Sequence, residues 1–116
     1  MSEARDAVIS DIHRLMDSGQ ELRSLILDSR KGFTKGVKLL ESGVPLSEAL
    51  TELNTAQRRM RMTDLLTEFD ECRHRLRLSI TAAGLEEGMS IGDIGRAFGV
   101  SRQLAARFAK EVRGQS

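Results

Sequence analysis

The sequence predicts an all-α chain in which a trihelical group at the C-terminus follows a helical extension. Three observations carry that prediction. Apolar residues recur at steps of three and four along most of the chain, the period of one helix face. No stretch alternates apolar and polar residues as a half-buried strand does. Glycines, serines and the single proline fall where such helices should stop and start.

The first periodic segment covers residues 4–29, with Val8, Ile12, Leu15, Leu22 and Ile26 on one stripe and Gly19 among them. Arg5, Asp11, Arg14, Asp17, Glu21 and Arg23 fall mostly off that stripe, which makes the helix amphipathic. Gly32 is expected to end it. A short second helix over 33–42 is anchored by Phe33, Val37 and Leu40 and closed by Gly43 and Pro45. Ser47, a residue type that accepts the free amide hydrogens of a first turn, is expected to cap a third helix over 47–54, with Asn54 and Thr55 as its interruption. A second long helix then spans 56–87, where Met62, Leu66, Phe69, Leu76, Ile80 and Ala83 form a heptad-like seam. Arg73 falls on that seam, so its guanidinium must snorkel outward or pair with a carboxylate.

From Gly88 the chain reads GMSIGDIGRAFGVSRQLAARFAKEVRG. Gly88 suits a left-handed helix end, and Ser90 with Asp93 three residues later has the spacing of a capping box. Ile91, Ile94 and Phe98 line one side of a helix over 91–98. Gly99-Val100-Ser101 then makes a tight turn: Gly99 tolerates positive φ, Val100 plugs the corner, and Ser101 caps a helix over 101–113 that buries Leu104, Ala105, Phe108 and Val112.

The run from Ile94 through Gly95, Arg96, Ala97, Phe98, Gly99, Val100, Ser101 and Arg102 to Gln103 resembles the helix-turn-helix of small bacterial DNA-binding regulators and of the promoter-reading domain of sigma factors. The preceding stretch, residues 75–90, resembles the first helix of such trihelical domains, so the likeness covers residues 75–113 only. Two positions depart from the pattern. Gly95 stands where alanine is usual at the contact of the two helices, and Ala105 stands where a larger branched side chain is common, leaving Phe98 and Phe108 to fill the volume.

The resemblance implies that the last helix lies in the major groove of double-stranded DNA, where its N-terminal residues reach base edges. Those residues are Ser101, Arg102, Gln103, Ala106 and Arg107. Arg102 has the geometry to donate two parallel hydrogen bonds to guanine, and Gln103 pairs a donor and an acceptor with adenine. Ser101 and the amides of its turn suit a phosphate. Ser90, at the start of the support helix, Arg96 upon it, and Lys110, Arg75 and Arg77 are further candidates for contact with the phosphate backbone. The same Gly-Val-Ser turn also suits a plain corner between two helices.

Charge is distributed in keeping with that assignment. Residues 1–55 hold seven basic and nine acidic side chains, and residues 56–116 hold eleven and eight, so a net charge of +1 conceals a basic C-terminal half. With no Trp or Tyr and four Phe, few rings are available to stack unpaired bases, which disfavours a single-strand binder. The single cysteine, Cys72, cannot form an intramolecular disulfide, and with His13 and His74 scattered the chain offers no zinc site. No catalytic constellation, phosphate loop or paired-acid motif is present. The expectation is therefore a non-enzyme without metal or cofactor, cytoplasmic and nucleoid-located, lacking signal peptide and membrane span. It is organised as an N-terminal helical region over 1–55 and a DNA-binding region over 56–116. One such unit covers few base pairs, so a homodimer through residues 4–29 and the 62–83 stripe is expected, acting as a transcriptional regulator. A nucleoid-associated or plasmid-maintenance protein would use the same surface, and an adaptor that binds transcription machinery without DNA is the alternative of another class.

Overall fold

The computed structural model describes residues 2–114, which form five helices and, among the described residues, no strand. They are α1 (Glu3–Glu41), α2 (Leu46–Glu52), α3 (Thr55–Glu86), α4 (Ile91–Phe98) and α5 (Arg102–Val112). No helix among the described residues is long and apolar enough to cross a membrane. The chain divides into two compact units. One is Asp17–Asp70; the other joins the start of the chain, as far as Met16, to everything from Glu71 onward. The expected boundary at residue 55 falls inside the first of these.

The break expected at Gly32 does not occur, and the two helices predicted over 4–29 and 33–42 are one. A glycine costs a helix interior about 1 kcal/mol relative to alanine, which tertiary contacts readily offset. Here the missing side chains admit neighbours. The Arg58 guanidinium rests where a β-carbon on Gly32 would stand, 2.6 Å from that point, and the Leu53 side chain comes within 3.0 Å of the corresponding point at Gly36. The helix ends where Gly43 takes positive φ and Val44 donates to the Leu39 carbonyl.

Ser47 is likewise not a cap. The extended backbone of Pro45 starts α2, its carbonyl accepting from Ala49 N–H at 3.0 Å, and this leaves Ser47 already inside the helix. The interruption expected at Asn54 and Thr55 is found at Leu53 and Asn54, with Thr55 the first residue of α3. Asn54 carries φ 53°, and Thr55 Oγ1 donates to the Leu50 carbonyl at 2.9 Å.

The buried lines along α1 and α3 keep most of the predicted stripes, Val8, Leu15 and Leu22 on α1 and Met62, Phe69, Leu76, Ile80 and Ala83 on α3, and step one residue aside at Ile12, Ile26 and Leu66. Within Asp17–Asp70, Ser18, Leu22, Leu25 and Ser29 of α1 are wholly or partly buried, while Ile26 is 52% exposed. On α3, Leu65 is 2% exposed and Leu66 is 50% exposed. Phe69 lies against Gly19 of α1. In the other unit Asp11 is buried and Ile12 exposed, and Cys72 takes the inward position expected of Arg73. Val8 and Ile9 of α1 share a cleft with Ile80 and Ala83 of α3, and Arg5 pairs with Glu87 at 2.8 Å beside them. Thus Phe69, Ile80 and Ala83 of the 62–83 stripe are engaged within the chain.

Candidate nucleic-acid interface

The end of α3 with α4 and α5 forms a group whose local structure is set by caps. Ser90 Oγ accepts from Asp93 N–H at 3.0 Å, and Asp93 Oδ2 accepts in return from Ser90 N–H at 2.9 Å, satisfying two free amides of the first turn of α4. The backbone hydrogen bond from Ser90, then its hydroxyl, then Arg96 hold the Asp93 carboxyl below its ordinary value of 3.8. One turn on, Ile94 is buried against Gly84 of α3.

The connection from α4 to α5 is short and hydrogen-bonded back onto α4. Gly99 closes α4 in the left-handed conformation at φ 71°, and Val100 N–H donates to the Gly95 carbonyl at 2.9 Å. Ser101 is extended, and its hydroxyl accepts from Leu104 N–H at 3.1 Å. Gly95 is the contact point. A β-carbon there would stand 3.1 Å from the Val100 carbonyl oxygen and 3.6 Å from the β-carbon of Ala105. The two departures from the resembled pattern thus face each other, and small residues on both helices let the turn close.

Phe108 fixes the rotation of α5. Its ring meets Phe98 and His74 edge to face, each with centroids 6.2 Å apart, and the Arg77 guanidinium stands 6.0 Å from the ring centre. His74 Nε2 lies 2.8 Å from Glu111 Oε2. With Ala105, Phe108 and Ala109 buried, Arg102, Gln103, Ala106, Arg107 and Lys110 are exposed together along the opposite side of α5. Arg113 lies one step further along the same side. Sequence reasoning missed it, although the steps 106, 110 and 113 would have found it. The acidic residue of α5, Glu111, is held by His74, so the outer face carries four cations and, among the described residues, no carboxylate.

The remaining predicted residues are placed differently. Ser101 stands exposed at the start of α5 with its hydroxyl engaged in the cap. The Ser90 hydroxyl is engaged in its own cap, and Arg96 donates to Asp93. Arg77 is half-buried over Phe108. Arg75 is exposed but two residues away along α3, a step that turns a side chain to nearly the opposite face. The two arginines therefore do not act as a pair. Comparison with protein-family models, curated proteins and solved structures finds no match.

Proposed function

We propose that the chain binds double-stranded DNA through α5, reading base edges in the major groove as a sequence-specific transcriptional regulator of a bacterial nucleoid. The observation that carries this is the outer face of α5: Arg102, Gln103, Arg107, Lys110 and Arg113 exposed in one line, with Glu111 drawn off by His74. On this reading α3, α4 and α5 form a trihelical helix-turn-helix, in which the capped turn at Gly99–Ser101 presents the N-terminal residues of α5 to the groove. Arg102 and Gln103 supply the bidentate donors and acceptors that distinguish guanine and adenine, Arg107 reaches base edges one turn further on, and Lys110 and Arg113 neutralise phosphates. The protein acts as a homodimer. In support, Ile12 and Ile26 in the 4–29 stretch and Leu66 on α3 remain exposed after each unit has formed its own core.

The test is selection of duplexes from a random pool by the full chain, followed by affinity against log salt. A regulator enriches one motif and holds it at least a thousandfold, on the order of 4 kcal/mol, above random DNA. A nucleoid-associated or plasmid-maintenance protein would bind with the same salt dependence but little preference. Failure to retain any duplex at low salt overturns the proposal and favours an adaptor. Sedimentation in the micromolar range, with and without the selected duplex, tests the dimer, and a monomer in both would reject it.

A further inference from the structure

Between α1, α2 and α3, wholly inside Asp17–Asp70, lies a groove of about 440 Å³. That is within the range of roughly 300–1,000 Å³ typical of small-molecule sites. Its walls include Phe33, Leu50, Leu53 and Met62, together with Arg58 and Arg59, and no carboxylate is among its lining residues. Phe33 is 73% exposed and Leu50 45%, so apolar surface at the groove is not consumed by the core. The Arg58 guanidinium is seated against Gly32, where any side chain would displace it. Glu52, the acidic residue at the end of α2, is engaged by Lys35 at 3.4 Å and does not line the groove.

We infer that this groove binds a small amphiphilic carboxylate, its chain or ring against Phe33, Leu53 and Met62 and its charge on Arg58 and Arg59. The two parts of the lining specify the two parts of the ligand. Apolar walls reward an apolar body roughly in proportion to the area removed from water. Two arginines in a lining that contains no acid reward an anion, and a carboxylate matches a single guanidinium with two parallel hydrogen bonds. A neutral ligand leaves those donors without the charge they match, and a cation is repelled. The inference does not rest on the DNA-binding reading, and either can fail alone.

Decanoate and decanol are the probes, titrated into the full chain carrying ¹³C-methyl methionine. Met62 is in the groove wall, and Met16, Met60 and Met89 are not among its lining residues. Decanoate is expected to shift the Met62 methyl saturably while Met16 and Met89 stay in place, and to bind at least about tenfold more tightly than decanol, the factor a single charge-assisted hydrogen bond supplies. The double variant R58Q/R59Q should lose that preference with its helical circular dichroism intact. If it does not fold, R59Q alone is read in the same way. The inference is overturned if Met62 does not saturate, if acid and alcohol bind equally, or if R59Q leaves the preference unchanged. It is also overturned if the Met62 methyl moves with protein concentration in the absence of decanoate, because a second copy of the chain then covers the groove.

Discussion

His74 on α3 joins Glu111 on α5 at 2.8 Å, and the same imidazole meets the Phe108 ring edge to face. One side chain of α3 therefore holds α5 at two points, beside the Phe98 ring that meets Phe108 from α4. The two contacts differ in weight. The contact to Glu111, an ion pair only where the imidazole is protonated, joins two half-exposed side chains, a setting in which even ion pairs contribute about 0–1 kcal/mol, while an aromatic edge contact adds about 0.5–1.5 kcal/mol beyond its buried area. His74→Ala should accordingly destabilise the chain by about 1–2 kcal/mol in urea unfolding, and Glu111→Gln by less than about 1 kcal/mol. If Glu111→Gln costs as much as His74→Ala, the ring contact is not what holds α5.

Gly95 tests the close approach of α4 to the turn. Alanine there gains about 1 kcal/mol of helix propensity, but its methyl must press on the Val100 carbonyl oxygen at 3.1 Å. The two effects nearly cancel, so Gly95→Ala should leave the urea midpoint almost unchanged. Gly95→Val, whose branches cannot avoid the turn backbone, should cost about 1–3 kcal/mol, as overpacking does. A valine variant as stable as the wild type would mean that the turn moves freely.

Much of the C-terminal group is legible in the sequence because its signals are short-range. Ser90 with Asp93, Gly99 and Ser101 each act on amides within four residues, and each is found in its predicted role. The long helices resist the same reading. Between Val8 and Leu15 a helical stripe can pass through Asp11 or Ile12, and between Met62 and Phe69 through Leu65 or Leu66; both steps satisfy the period. Choosing the most apolar path selects Ile12, yet the fold buries Asp11, and the 65/66 choice carries no hydropathy signal at all. Only the partner helix decides, and a single sequence holds no direct record of it. Gly32 fails for the related reason that a glycine which ends a helix and one which admits a neighbour look alike.

The α4 cap gives a pH dependence of definite sign. Hydrogen bonds from Ser90 and then the Arg96 guanidinium hold the Asp93 carboxyl below 3.8, so the charged form is favoured in the folded state. A depressed folded value contributes stability that is fully present above the unfolded value and lost as pH falls through the folded one. The melting temperature of the wild type should therefore exceed that of Asp93→Asn at neutral pH, with the gap closing as pH drops below the ordinary carboxylate range. A gap that stays constant into strong acid would show that the charge on Asp93 is irrelevant to the cap.

The placement of the cations ranks their effects on DNA. Each phosphate contact removed should lower the slope of log affinity against log salt by about 1. Lys110→Gln and Arg113→Gln, on the open face of α5, should show that loss on selected and random duplexes alike. Arg96→Gln should show less, because Asp93 already holds that guanidinium. Arg102→Ala differs in kind: about 1–3 kcal/mol lost on the selected site and little on random DNA. Equal losses on both would move Arg102 from base reading to phosphate contact.

Ser18 offers a gain rather than a loss. It is 4% exposed on the inward line of α1, and among the described residues its Oγ has no hydrogen-bonding partner. A buried hydroxyl left unpaired costs about 1–3 kcal/mol, and serine is also a weaker helix former than alanine. Ser18→Ala removes both penalties while deleting a single atom, too small a change to open a damaging cavity. The expected outcome is a stabilisation of about 0.5–1.5 kcal/mol in urea unfolding, with the slope of the transition unchanged. The paired control is Thr81→Ala. Thr81 is also fully buried, but its Oγ1 donates to the Arg77 carbonyl at 2.7 Å, so the same truncation there deletes a made hydrogen bond and a packed methyl and should destabilise. Loss of stability in both variants would show that the Ser18 hydroxyl is satisfied by water, and that the inward line of α1 is wetter than its burial implies.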